Sequence, residues 1–171
     1  MMKTRTAELL NTQINKELHS AYLYFEMSRY YEDLGLKGFA NWFFVQAQEE
    51  CDHAMLFFRF MQNNGLKVTL KALDAPEDDY EGVLEPLTAA LEQEKLVTEL
   101  IHNIFKVAMD DNDFRTMQFL NWFIDEQAEE EMNARELISK IECFGEEGAA
   151  LYHIDKELGE RVYESPTLEL P

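Results

Sequence analysis

Residues 48–53 read Gln48-Glu49-Glu50-Cys51-Asp52-His53, in the middle of an apolar helical run from residue 39 to residue 61. At steps of three and four the run gives Phe39, Phe43, Gln46, Glu50, His53, Phe57 and Phe60, one stripe of a helix. Aromatic residues close both ends of that stripe, and its centre carries a carboxylate and an imidazole. Glu50 and His53, three apart, point the same way, into whatever buries the phenylalanines. A buried, uncompensated carboxylate costs several kcal/mol, so the pair requires a partner, and a metal ion meets that requirement.

Working outward, the 171 residues are a single-domain length that can bury a substantial core. Hydrophobic residues make up 46%, with only 7 Gly and 4 Pro, which suits a folded and mostly helical protein. Lys and Arg number 15 against 34 Asp and Glu, a net charge of -19. No basic face is left to neutralise phosphates, which argues against nucleic acid and anionic membrane surfaces as partners. No apolar run reaches membrane-spanning length, and the first six residues lack the apolar core of a signal peptide. Two cysteines, Cys51 and Cys143, lie far apart in no CxxC pattern. They suggest a reducing compartment, the cytoplasm, and leave no thiolate zinc or rubredoxin-type iron site.

The periodicity predicts five helices. The first, residues 4–33, carries Ala7, Leu10, Ile14, Glu17, Ala21, Tyr24, Ser28 and Tyr31 on one stripe. The break Leu34-Gly35-Leu36-Lys37-Gly38 is short enough to make the second helix its antiparallel neighbour. Asn63-Asn64-Gly65 stops the second helix. Residues 65–82, with Gly65, Pro76, the acidic cluster Glu77-Asp78-Asp79 and Gly82, form a long connection. Extended at about 3.3 Å per residue, it can run the length of a helix and return the chain to the far end. The third helix, residues 83–109, then lies parallel to the second and shows Val83, Leu87, Ala90, Glu94, Val97, Ile101, Ile104 and Ala108. The fourth, residues 114–143, shows Thr116, Leu120, Phe123, Gln127, Glu130, Ala134, Leu137 and Ile141. A shorter fifth segment, residues 147–158, has Leu151, Ile154 and Leu158 as its apolar edge. The expected domain is one all-α four-helix bundle, about residues 4–144, with one long crossover between helices two and three. A short fifth helix follows at about 146–159, and then a flexible tail, 160–171.

Each long helix has its apolar stripe interrupted near the middle: Glu17, then Glu50 with His53, then Glu94, then Gln127 with Glu130. Interruptions at matching depth converge on one site. Di-iron carboxylate bundles take a Glu from each of two helices and a Glu-x-x-His from each of the other two. This chain departs from that pattern only in offering Gln-x-x-Glu on its fourth helix. Four ionised glutamates balance two divalent cations, and such a donor set with one imidazole suits Fe(II), Mn(II) or Zn(II). Glu50 is our choice for the bridging carboxylate. Two adjacent Fe(II) ions can each give one electron to the same O2. The second position has no histidine of its own and is expected to be weaker, so that oxidised iron leaves. Outside this layer, Glu49, Glu126, Glu129 and Glu131 read either as a looser third cation position with an exit path, or as a solvated face. The turn Asp110, Asp111 and Asp113 reads as pore lining or, more simply, as helix capping.

The residues Glu17, Tyr24, the run from Gln48 to His53, Glu94, the run Glu126-Gln127-Ala128-Glu129-Glu130-Glu131 and the segment from Leu151 to Leu158 resemble the bacterial non-haem ferritins, over nearly the whole chain. The resemblance implies a ferritin-like bundle with ferroxidase activity, oxidising Fe(II) with O2 or peroxide. It implies that Glu17, Glu50 and His53 hold a first iron, and that Glu50, Glu94 and Glu130 hold a second with Gln127 beside it. Glu49, Glu126, Glu129 and Glu130 would hold a third iron. Tyr24 would serve as a redox or hydrogen-bonding residue, although a core tyrosine bonded to a glutamate explains it equally. The family's hollow shell of twenty-four subunits storing ferric mineral is implied with the rest, here as a homo-oligomer. A discrete di-iron peroxidase or oxygenase that retains its iron is the alternative; the histidine-poor second position and the fifth helix weigh against it. Haem-binding relatives place Met after the second-helix ligand Glu and use Glu-x-x-His on the fourth helix. Cys51 and Gln127-x-x-Glu130 stand there instead, and no haem is expected.

Overall fold

Glycine or asparagine in the left-handed region ends three of the four long helices, and these turns set the topology. At Gly35 (φ 77°) the Leu36 amide reaches back to the Tyr31 carbonyl at 2.9 Å, and at Gly65 (φ 70°) the Leu66 amide reaches Met61 at 3.0 Å. Asn112 (φ 53°) does the same with the Asp113 amide and the Ala108 carbonyl, 2.8 Å. Each turn satisfies carbonyls that a helix end leaves without partners. The computed structural model describes residues 4–76 and 79–170; Glu77 and Asp78 of the acidic cluster lie outside the described residues, as do Met1, Met2, Lys3 and Pro171. Five helices result: α1 (Thr4–Asp33), α2 (Lys37–Asn63), α3 (Leu84–Asp110), α4 (Phe114–Phe144) and α5 (Gly148–Leu158).

The described residues of the long connection meet α1 near both of its ends. The connection begins where Asn11 bonds Thr69 in both directions (2.9 and 2.7 Å) and Asn15 accepts from the Lys71 amide at 2.8 Å. It ends where the Tyr30 and Tyr31 hydroxyls donate to the carbonyls of Gly82 (2.9 Å) and Val83 (2.6 Å). The chain thus returns to the end at which α2 began, and α3 runs parallel to α2. The fold is the expected all-α bundle with a single crossover, and no strand occurs among the described residues.

Apolar side chains form two clusters, one at each end of the bundle. Tyr31, Phe39, Phe43, Leu87 and Ile141 centre the first, which also takes in Ile154 and Leu158 of α5. Leu10, Phe57, Phe60, Ile101, Phe119 and Phe123 centre the second, with the Phe60 and Phe119 rings stacked 4.0 Å apart. Between the clusters lies a layer of buried polar residues.

Two helix starts differ in how they are capped. Asp113 caps α4 by accepting from the Thr116 amide (3.2 Å) and hydroxyl (2.8 Å), so this member of the acidic turn is a capping residue. The start of α2 has no local side-chain cap. Asp155 of α5 supplies one from afar, accepting from the amides of Gly38 (2.8 Å) and Phe39 (3.1 Å). Gly38 therefore lies inside the first turn of α2, whereas the sequence places it in the break. The glycine is needed for approach: a Cβ here would stand 1.5 Å from the Asp155 carbonyl oxygen.

Residues 160–170 form neither helix nor strand and lie along the bundle. Trp122 donates its indole N–H to the Thr167 hydroxyl at 3.0 Å, and Leu168 and Leu170 pack against the second cluster. No helix among the described residues is long and apolar enough to cross a membrane.

Candidate metal centre

The six residues singled out from the four helices meet in the polar layer, and none of Glu17, Glu50, His53, Glu94, Gln127 and Glu130 is more than 5% exposed. Glu17 of α1 and the Glu50–His53 pair of α2 bring their donor atoms within 4.8 Å of one another. His53 Nδ1 stands 3.6 Å from Glu50 Oε1, beyond hydrogen-bond distance. Gln13 donates to Glu17 Oε1 at 3.0 Å. Glu17 Oε2, both oxygens of Glu50 and His53 Nδ1 are buried without any hydrogen-bond partner. Buried polar atoms are almost always paired, so a converging group of partnerless donors marks a place for a cation.

The other half of the layer is tied to the protein. Tyr24 donates its hydroxyl to Glu94 Oε1. Gln127 donates its amide N–H to Glu94 Oε2 (3.0 Å) and to the Glu94 carbonyl (3.2 Å). Gln46 donates to Glu130 Oε2 at 2.7 Å. Tyr24 is therefore at hydrogen-bonding distance from the centre, and Gln127 turns its nitrogen, which cannot ligate a metal, toward Glu94. Gln13 and Gln46 are the partners that sequence reasoning passed over. Both are amides on buried helix faces, 1% exposed, and Gln46 interrupts the quoted stripe itself.

Of the outer carboxylates, Glu126 comes closest, its Oε1 3.8 Å from His53 Nε2. His53, Glu126 and Glu130 form a second group of donor atoms within 4.8 Å. Glu49 turns away from that group into an ion pair with Arg161 Nη2, 2.5 Å. Glu129 is exposed. Glu131 accepts from the Thr98 hydroxyl at 2.7 Å and pairs with Arg135. The Trp122 and Phe123 rings stand edge-on to His53, with centroids 5.6 and 5.7 Å away, and form an apolar wall on this side.

Burial raises the pKa of every inner carboxylate. Glu50 lies well above the ordinary value because it is desolvated, with His53 opposing. Glu17 is raised by burial against the pull of His53 and Gln13. Glu94 is raised by burial although the bonds from Tyr24 and Gln127 favour its charge. Glu130 is pushed up to about 8 by burial and the neighbouring Glu94. Burial works against a charged His53, but Glu50, Glu126 and Glu17 outweigh it and hold the imidazole pKa well above its usual value. The metal-free layer thus shares protons among acids that a cation would displace.

A single-crossover four-helix bundle with a buried centre of glutamates and one histidine defines the ferritin-like carboxylate class. The Ferritin-like domain family matches residues 7–144. The bacterial non-heme ferritin of Staphylococcus aureus (strain USA300) is 36% identical over 164 residues, 96% of this chain and 99% of that one. The Staphylococcus haemolyticus protein of the same name is 34% identical over the same shares. Among solved structures, the open pore ferritin of the hyperthermophilic archaeon Archaeoglobus fulgidus superposes with a TM-score of 0.93 at 41% identity, covering 95% of this chain and 100% of that one. A closed form of the Archaeoglobus fulgidus ferritin made by site-directed mutagenesis gives 0.93 and 41%, covering 96% and 100%. The chain belongs to the ferritin family.

Proposed function

We propose that the protein stores iron and is a ferroxidase, oxidising Fe(II) at the polar layer of each subunit and passing Fe(III) to mineral inside a hollow shell. The observation that carries this reading is the set of partnerless buried atoms on Glu17, Glu50 and His53. Iron is the substrate. The first Fe(II) binds Glu17, Glu50 and His53; the second binds Glu50, Glu94 and Glu130. Two Fe(II) give two electrons to one O2, which takes up two protons and leaves as hydrogen peroxide. With peroxide as oxidant, two electrons from two Fe(II) and two protons break the O–O bond, and two waters form.

The chain's own groups serve these steps. Glu130 gives up its proton when a cation binds, and Gln46 keeps the freed carboxylate in place. Tyr24 and Gln127 fix the orientation of Glu94 from opposite sides. Trp122 and Phe123 set apolar ring edges against His53 and fix its orientation. Oxidised iron moves outward past Glu126 and Glu130, where a third cation position of His53, Glu126 and Glu130 is better supported than one including Glu49 and Glu129.

Phe25 and Phe44, 38% and 49% exposed with ring centroids 5.7 Å apart, form an aromatic patch across α1 and α2. Such a patch supports burial between subunits, and we take the assembly to be a homo-oligomeric shell of twenty-four. Two free cysteines support a cytoplasmic location.

The test is aerobic Fe(II) titration of the metal-free protein, following ferric absorbance and particle mass. Uptake of hundreds of irons per particle, with a fast phase lost in Glu50→Ala, is expected. Uptake that saturates near two irons per chain would instead make the centre that of a di-iron enzyme.

A further inference from the structure

Arg161 lies three residues beyond the end of α5, outside every periodic stripe, yet its head group is held on several sides. The guanidinium carbon stands 4.6 Å over the centre of the Trp42 ring. Nη1 donates to Gln46 Oε1 (2.9 Å) and to the Trp42 carbonyl (3.4 Å), and Nη2 donates to Glu49 Oε2 (2.5 Å). The main chain is pinned too: Asn41 Nδ2 donates to the carbonyls of Leu158 (3.3 Å) and Arg161 (3.0 Å). Side-chain exposure is 22% for Arg161 and 18% for Glu49, so the pair is largely shielded from water.

The position of this charge matters. A cavity of about 280 Å³ opens onto His53, and its walls include Glu49, Glu126, Glu129, Glu130 and Arg161. Among the described residues, Arg161 is the one Lys or Arg on those walls. Through Gln46, which accepts from Arg161 and donates to Glu130, it also reaches an inner carboxylate.

We infer that Arg161 is the resident counter-cation of the outer acidic layer: it holds Glu49 away from His53, Glu126 and Glu130, and a third metal ion must compete with it. The inference rests on the metal-binding reading of this layer. It makes Arg161 a positioning residue that sets the order of filling. The two inner positions fill first because, among the described residues, no Lys or Arg is paired with Glu17, Glu50, Glu94 or Glu130. The outer position stays weak, so an ion there is in transit and is not retained.

The test is calorimetric titration of the full-length, metal-free protein with Zn(II), which needs no oxidation. Wild type is expected to bind one Zn(II) per chain tightly, a second less tightly and a third most weakly. Arg161→Gln should tighten the third by about tenfold, because Glu49 is freed. Arg161→Lys keeps the charge but not the fork or the stacking on Trp42, so its third-site affinity should fall between those of wild type and Arg161→Gln, and Glu49→Gln added to Arg161→Gln should abolish the gain. Melting curves separate a merely structural role: a role in docking residues 159–170 lowers the melting temperature of the Gln and Lys variants alike and leaves the third affinity unchanged. Equal third-site affinity in wild type and Arg161→Gln overturns the inference, as does a gain that survives loss of Glu49. Failure of the two inner positions to fill in wild type would count against the ferroxidase reading instead, and is read from a different part of the same titration.

Discussion

Two halves of one buried layer treat their carboxylates in opposite ways. On the side of Glu17, Glu50 and His53, donor atoms face one another with no partner. On the side of Glu94 and Glu130, the protein supplies its own donors from Tyr24, Gln127 and Gln46. An unpartnered buried carboxylate gains most from a cation, whereas a satisfied one must exchange hydrogen bonds for ligation. On the proposed reading this difference grades affinity across the layer: one half would capture an ion, and the other would accept one on terms loose enough for it to leave.

The strongest way to break this comparison is to remove the carboxylate common to both halves. Glu50→Ala should lower the initial rate of Fe(II) oxidation by at least about a hundredfold, since even residues that only support ligands cost ten- to hundredfold. Stopped-flow ferric absorbance checks this, and a rate within a few-fold of wild type would remove Glu50 from the centre.

Equalising the halves comes next. Gln127→Glu exchanges a donor to Glu94 for a second carboxylate and should tighten the second cation by about tenfold or more. Release of iron to a chelator should slow to match. If turnover and release are both unchanged, the weak half is not what lets iron go.

Proton linkage sharpens the picture further. Burial and the Glu94 charge push Glu130 up to about 8, so the folded metal-free protein binds this proton more tightly than the unfolded chain, whose carboxyl lies near 4.5. The stabilisation is therefore complete below about 4.5 and is lost as pH rises toward 8. The melting temperature of the metal-free protein should fall between pH 5 and pH 8, and Glu130→Gln should flatten the slope. Zn(II) affinity should move the other way, rising by about tenfold per pH unit for each proton displaced. A melting temperature independent of pH in the wild type would contradict the assignment.

The smallest effect is expected from Tyr24→Phe, which frees one oxygen of Glu94. A hydrogen-bonding role predicts a change of a few-fold in oxidation rate, about 1 kcal/mol, the net value of one such bond. A loss of a hundredfold or more would mean that Tyr24 takes part in electron transfer.

The helices and the composition of the layer were legible because period and chemistry coincide. Stripes that change from Phe and Leu to Glu, His and Gln at one depth leave little freedom in how four helices pack. The length of residues 65–82 carried the crossover in the same way. Less legible were the ends of side chains. Periodicity assigns Glu49, Glu126 and Glu129 to one edge of the layer, but not that Glu126 reaches toward His53 while Glu49 pairs elsewhere. Arg161 left no signal, because a residue beyond the last helix is placed by docking and not by period. Gly38 misled for a related reason: a glycine before an apolar run reads as a stop, and only the packed fifth helix reveals it as clearance.

That clearance has a further consequence. With no side chain at residue 38, two backbones touch, and the Asp155 carboxylate seats itself on the opening amides of the helix that carries Glu50 and His53. The contact works as a fixed stop on a ruler. It fixes where α5 ends along α2, and with it how far the following residues extend before Arg161 comes level with Glu49. A methyl group at residue 38 would thus be felt not only locally but as an error of length, with the guanidinium arriving at the wrong place along the acidic edge.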